Sequence, residues 1–125
     1  MEQILDLSTA SEYDLLVGKD RTLNCSITCT YLDATGSTNY FDFSSYTGAT
    51  LVIKNTAGTI LMTFSTLDGS ILLQANGVFK LIKTSQEMDV VRAGCYNYDM
   101  YISSATYPKR GFLRGKITFI QNIAN

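Results

Sequence analysis

Apolar and polar residues alternate with a period of two along much of this chain. From Arg21 to Tyr31, Leu23, Cys25, Ile27, Cys29 and Tyr31 fall on one side, with Thr22, Asn24, Ser26, Thr28 and Thr30 on the other. That pattern predicts a strand with one face buried and one in water. A second run, Cys95 to Ser104, sets Tyr96, Tyr98, Met100 and Ile102 against Cys95, Asn97, Asp99 and Tyr101. Two shorter strands, Thr50 to Lys54 and Thr59 to Phe64, flank Asn55-Thr56-Ala57-Gly58, a hairpin turn whose glycine supplies positive φ. Asp68-Gly69 and Asn76-Gly77 bracket a strand over Ile71 to Gln74 and open another over Val78 to Lys83; Phe112 to Gln121 is the last.

Helical periodicity is missing. The one helix-like piece, Thr84 to Asp89, is a single turn with Ser85 placed to cap it. The polar stretch Asp33 to Ser45 reads as a long loop, and the lone proline sits in the connection Tyr107-Pro108-Lys109-Arg110-Gly111. Turn signals at this spacing predict an all-β fold, an immunoglobulin-like antiparallel β-sandwich of about seven strands with Greek-key connections, the Thr22 and Cys95 strands being central. A small closed barrel is the structural alternative.

The small-residue turn Ala93-Gly94 just before Tyr96 favours the sandwich. It places this tyrosine at the tyrosine corner, where the phenol bonds back to upstream backbone, and Tyr96→Phe is then expected to cost about 1 kcal/mol or more. Residues 15–125 form one domain on this reading. Residues 1–14, with Ile4, Leu5 and Leu7 among acids and small polar residues, are either an edge strand or an arm that docks on a neighbour by β-augmentation.

Composition narrows the chemistry. The chain has 125 residues, a formal net charge of -1, no histidine and no tryptophan. Without histidine the commonest general base and metal ligand is missing. The charge balance gives no general attraction to nucleic acid or anionic membrane, and no apolar run reaches the roughly 20 residues of a membrane span. The start Met1-Glu2-Gln3-Ile4 lacks the layout of a secretion signal, so retention in a cytoplasm is expected. An intramolecular disulfide is not expected. Cys25 and Cys29 lie roughly 13 Å apart along one strand, beyond the reach of a disulfide, and Tyr98 occupies the position of the second immunoglobulin inter-sheet cysteine. No spacing pairs Asp42, Asp89 or Asp99 for acid–base work, and no zinc or phosphate-loop motif occurs. The expectation is a protein without catalytic residues, metal or cofactor.

Two groups remain as candidate contacts. Lys109, Arg110, Arg114 and Lys116 concentrate positive charge on the last hairpin, as a contact for an acidic protein neighbour or as a solvated edge that resists pairing. Tyr40, Phe41, Phe43 and Tyr46 crowd the long loop. They suit a carbohydrate- or receptor-binding platform, a surface buried by a partner, or a loop tucked onto the sandwich.

Five short motifs add a family resemblance: Gly18-Lys19-Asp20-Arg21-Thr22, Thr47-Gly48-Ala49-Thr50-Leu51, Thr56-Ala57-Gly58-Thr59, Asp68-Gly69 and Gly94-Cys95-Tyr96-Asn97-Tyr98-Asp99. In this layout the chain, from roughly Leu15 to Gln121, resembles small immunoglobulin-like structural proteins of tailed bacteriophage virions. The resemblance implies an auxiliary or decorating capsid protein that binds and reinforces neighbouring head subunits, or else a tail or baseplate connector. It implies other virion proteins as partners, the major capsid protein first, or further copies of itself, with neither nucleic acid nor membrane. Its place would be the virion, after assembly in the host cytoplasm. The loop Asp33 to Ser45 departs from the shortest members, so contacts near it do not carry over.

Overall fold

The computed structural model describes residues 2–7, 12–18, 22–106 and 109–120. Lys19, Asp20 and Arg21 of the first motif, the turn residues Tyr107 and Pro108, and Gln121 lie outside the described residues. Ten strands are present among the described residues: β1 (Glu2–Asp6), β2 (Leu15–Gly18), β3 (Leu23–Leu32), β4 (Thr38–Tyr40), β5 (Gly48–Lys54), β6 (Ile60–Ser65), β7 (Ile71–Leu73), β8 (Val78–Lys83), β9 (Gly94–Ser103) and β10 (Arg110–Ile120). One short helix, α1 (Ser85–Met88), joins β8 to β9.

They form two sheets, one ordered β1-β3-β8-β7 with β4 also on β3, the other β2-β10-β9-β5-β6. The chain changes sheet between β1 and β2, between β2 and β3, between β4 and β5, between β6 and β7, and between β8 and β9. The expected all-β sandwich with β3 and β9 inside their sheets is present, and its strand order is that of an immunoglobulin-like domain with three added strands, β6 beyond β5, β2 beside β10 and β4 on β3. Two features differ from expectation. The sheets are mixed, because β1 runs parallel to β3 and β2 parallel to β10. The strand number exceeds seven because β1, β2 and β4 are three to five residues long, too short for an alternation to register.

The inward faces of the long strands close the core. Cys25, Ile27, Leu51, Ile53, Phe64, Phe79, Leu81, Met100 and Ile117 are fully shielded from solvent. At about 25 cal/mol per Å² of apolar surface removed from water, this two-layer packing is the main favourable contribution to folding. All three cysteines are free; Cys25 and Cys29 are buried and Cys95 is exposed. Burial raises the Cys25 thiol and pushes Cys29 up to about 12, so both stay protonated. A thiol reagent should therefore label one cysteine per native chain, Cys95, and all three after denaturation; fast labelling of two or three in the native state would show an open core.

Side-chain oxygens fix the turns. Asp33 accepts hydrogen bonds from the backbone of Thr35 and Ser37, from the Thr35 hydroxyl, and from the Asn39 amide at 2.8 Å. These turn the first half of the expected long loop into a tight hairpin between β3 and β4. The donors, the Thr35 and Asn39 side chains foremost, hold the Asp33 carboxyl down to about 2. Helix α1 is capped one residue earlier than the sequence suggests: Thr84 has extended backbone, its hydroxyl accepts from the Glu87 N–H, and Glu87 accepts from the Thr84 N–H. The Glu87 carboxyl is lowered by those bonds.

A carboxylate held below its unfolded value, about 4, stabilises the fold fully above that value and loses its effect as pH falls through the folded one. The melting temperature should fall between about pH 4 and pH 2, and Asp33→Asn should flatten part of that descent. A midpoint independent of pH over this window would refute the role given to Asp33.

Candidate interaction surface

The four cations of the last hairpin do not act as one strip. Lys109 stacks over the Tyr101 ring with its Nζ 4.3 Å from the centroid, and Arg110 donates from Nη1 to the Tyr46 hydroxyl at 2.9 Å. Both hold the hairpin and loop in place. Arg114 and Lys116 stay exposed on the outer face of β10. There Lys116 pairs across to Asn97, which pairs to Lys54 on β5, and Arg114 pairs to Asp99. Lys54 thus joins Arg114 and Lys116 on one sheet face. No local pattern announces it, since it is brought there by register from a strand 60 residues away in the chain. A shallow cleft beside this row includes Glu12 and Asp99 as well as Lys54 and Arg114, so both signs of charge are present.

The N-terminal segment lies against both sheets. Leu5 is buried opposite Cys29, which removes it from the contact set, whereas Ile4 is 71% exposed. Leu7 is half-buried and donates its N–H to the Thr30 carbonyl at 2.7 Å. Tyr13 then fastens the crossing to the second sheet. Its N–H donates to the Arg114 carbonyl at 2.8 Å and its hydroxyl to the Leu7 carbonyl at 2.9 Å. The Tyr98 hydroxyl donates to the Tyr13 carbonyl at 2.5 Å, and the Lys116 N–H donates to the Asp14 carboxylate at 3.2 Å. Burial, then the nearby carboxylates of Asp14 and Asp99, push the Tyr98 phenol far above the ordinary tyrosine range, so it remains a donor.

The aromatic loop is mostly turned inward. Phe43 is buried, its ring 5.6 Å from Phe112 and edge-on to Phe79 at 6.2 Å. Phe41 lies 4.9 Å from Phe43, 4.8 Å from Phe112 and 6.0 Å from Tyr46, centroid to centroid. Phe43 therefore leaves the set of candidate contacts, and Phe41 and Tyr46 have ring faces already covered. Tyr40 differs: it is 57% exposed and stacks on no other ring among the described residues. It forms a ridge between two clefts of about 450 and 500 Å³.

The corner residues stand where the sequence places them. Gly94 opens β9, and the Tyr96 hydroxyl donates to the Arg92 carbonyl at 2.8 Å. That bond lies at the surface, in contrast to the buried Tyr98 side chain two residues on. No group of three histidine, cysteine, aspartate or glutamate side chains is placed to hold a metal ion among the described residues.

The sequence matches no protein-family model and no curated protein. Solved structures do resemble it in shape. The N-terminal domain of phage TP901-1 ORF48 aligns with a TM-score of 0.53 at 9% identity, over 98% of this chain and 99% of that one. The endo-β-1,4-mannanase from Thermotoga petrophila aligns at 0.48 and 8% identity over 88% of this chain, which spans 18% of the mannanase. CopC from Methylosinus trichosporium OB3b aligns at 0.39 and 8% identity, over 92% of this chain and 91% of that one. The latter two are too distant to carry an argument. The first, at such low identity, speaks for shared architecture alone: this chain has the sandwich fold found in a domain of a phage protein.

Proposed function

We propose that this chain is a non-enzymatic structural protein of a tailed-phage virion, an auxiliary protein that binds the capsid surface and reinforces neighbouring head subunits. The observation that carries the phage reading is the end-to-end likeness to a phage protein domain, 98% of one chain against 99% of the other. The construction of the domain supports it. Both sheets are braced by buried side chains and by the Tyr13 crossing, which gives a rigid body for repeated docking. The outer face of β10, β9 and β5 carries Arg114, Lys116 and Lys54 with Asp99 among them. Such a face suits a charged, matching surface, for which the major capsid protein is the proposed partner. Ile4 adds an exposed apolar contact at the opposite edge.

A tail or baseplate connector is the second reading. It is favoured by one specific point, that the similar phage domain is the N-terminal part of its protein, as an attachment module would be. Separated heads and tails decide between the two. The capsid reading expects the chain in the head fraction, with binding weakened at least about tenfold by Lys54→Glu combined with Arg114→Glu. Recovery in the tail fraction would replace it with the connector.

A further inference from the structure

We propose that Tyr40 and the two clefts beside it form a binding site for a neutral, hydroxyl-rich saccharide chain. Tyr40 is the one ring of the loop that no other ring covers, and it stands proud on the outer side of β4, paired to Thr30. A pyranose ring has one face of C–H groups and a rim of hydroxyls. An aromatic face takes the first, and amides, hydroxyls and carboxylates take the second.

The rim partners are present on both sides of the ridge. One cleft holds Asp42, Gln74 and Asn76; the other holds the hydroxyls of Thr28 and Thr38. The side-chain amides of Gln74 and Asn76 make no hydrogen bond within the described residues, so their donors and acceptors are available to a ligand. Asp42 binds the Ser44 N–H at 2.9 Å and is held in the ionised, accepting form by Ser44.

The charge pattern selects the ligand class. Among the described residues neither cleft is lined by a lysine or arginine, and Asp42 is the one charged side chain lining either. An anionic sugar or phosphate would meet repulsion there and no counter-charge. Both clefts fall within the roughly 300–1,000 Å³ range of small-molecule sites, and their arrangement either side of one ring fits successive units of a chain better than a single sugar. The site lies on the β3–β4 sheet, away from Lys54, Arg114 and Lys116, and shares only Ile4, at the rim of the second cleft, with the contacts proposed for a virion partner.

The test is a heteronuclear NMR titration of the full chain with cellohexaose, maltohexaose and laminarihexaose at millimolar concentration, with polygalacturonate as the anionic comparison. At least one neutral oligosaccharide should give saturable shifts at Tyr40, Gln74, Asn76, Thr28 and Thr38. Tyr40→Ala should weaken that binding at least about tenfold while leaving the spectrum dispersed. Tyr40→Leu, which keeps an apolar side chain on β4 but removes the π face, should weaken it comparably, and Gln74→Ala by a smaller factor. Three results overturn the proposal: no saturable shift with any of the three neutral chains, binding that survives both Tyr40 substitutions, or tighter binding of polygalacturonate than of the neutral chains.

Discussion

Gly115→Ala should destabilise the domain by about 3 kcal/mol. Two costs combine at this position in the middle of β10. Its φ of +153° is one that residues with a Cβ rarely adopt, and an added Cβ would come within 2.5 Å of the Tyr13 carbonyl oxygen and 2.9 Å of the Tyr13 nitrogen. Those are backbone atoms of the segment that crosses between the sheets, so relief requires the whole crossing to lift off. Gly111 is the internal control: it lies on the same strand, has no such φ, and a Cβ there meets nothing within 4 Å. Equilibrium urea denaturation should show a lower midpoint for Gly115→Ala with little change for Gly111→Ala. Equal midpoints would mean that the crossing does not rest on Gly115.

Tyr98→Phe should cost about 1.5 kcal/mol, because the Tyr13 carbonyl loses its partner in a half-buried setting while the ring stays in the core. The effect should also be local. Hydrogen exchange should accelerate in β1 and β2 more than in β5 or β9, since Tyr98 holds the segment between the first two. Tyr96→Phe is the contrast. The sequence alone suggests about 1 kcal/mol for it, on the premise of a buried acceptor. Its partner, the Arg92 carbonyl, sits at the surface where water replaces the lost donor, so the expected loss is a few tenths of a kcal/mol. A larger loss at Tyr96 than at Tyr98 would reverse the roles given to the two tyrosines.

These residues also show what the chain discloses before it is folded. The long alternating strands β3 and β9 are legible because each has a wet face and a dry face, and the Gly58 and Gly77 turns because their backbones need positive φ. Tyr96 is legible because it follows a small-residue turn at a strand start. For β1 the sequence offers an edge strand or an arm without choosing between them; the parallel direction of β1 and β2 is not legible, since their partners lie roughly 25 and 100 residues away and short edge pairings carry no periodicity of their own.

Candidate contacts follow the same division. Exposure of Arg114 and Lys116 is readable from alternation. The diversion of Lys109 to Tyr101 and of Arg110 to Tyr46, and the arrival of Lys54, depend on which strands become neighbours. The aromatic loop misleads by composition. The four aromatics that crowd the loop suggest a platform, but Phe41, Phe43 and Tyr46 pack on one another or on Phe112, and of the four Tyr40 alone presents an uncovered ring among the described residues.

The central claim, a rigid scaffold that serves as a virion component, is tested most directly by quantifying this chain in purified phage particles by mass spectrometry against the major capsid protein. The account predicts a fixed stoichiometry that survives salt washing of intact particles, at a ratio set by capsid symmetry. A chain absent from purified particles, or present in amounts that vary between preparations and wash away, would contradict it.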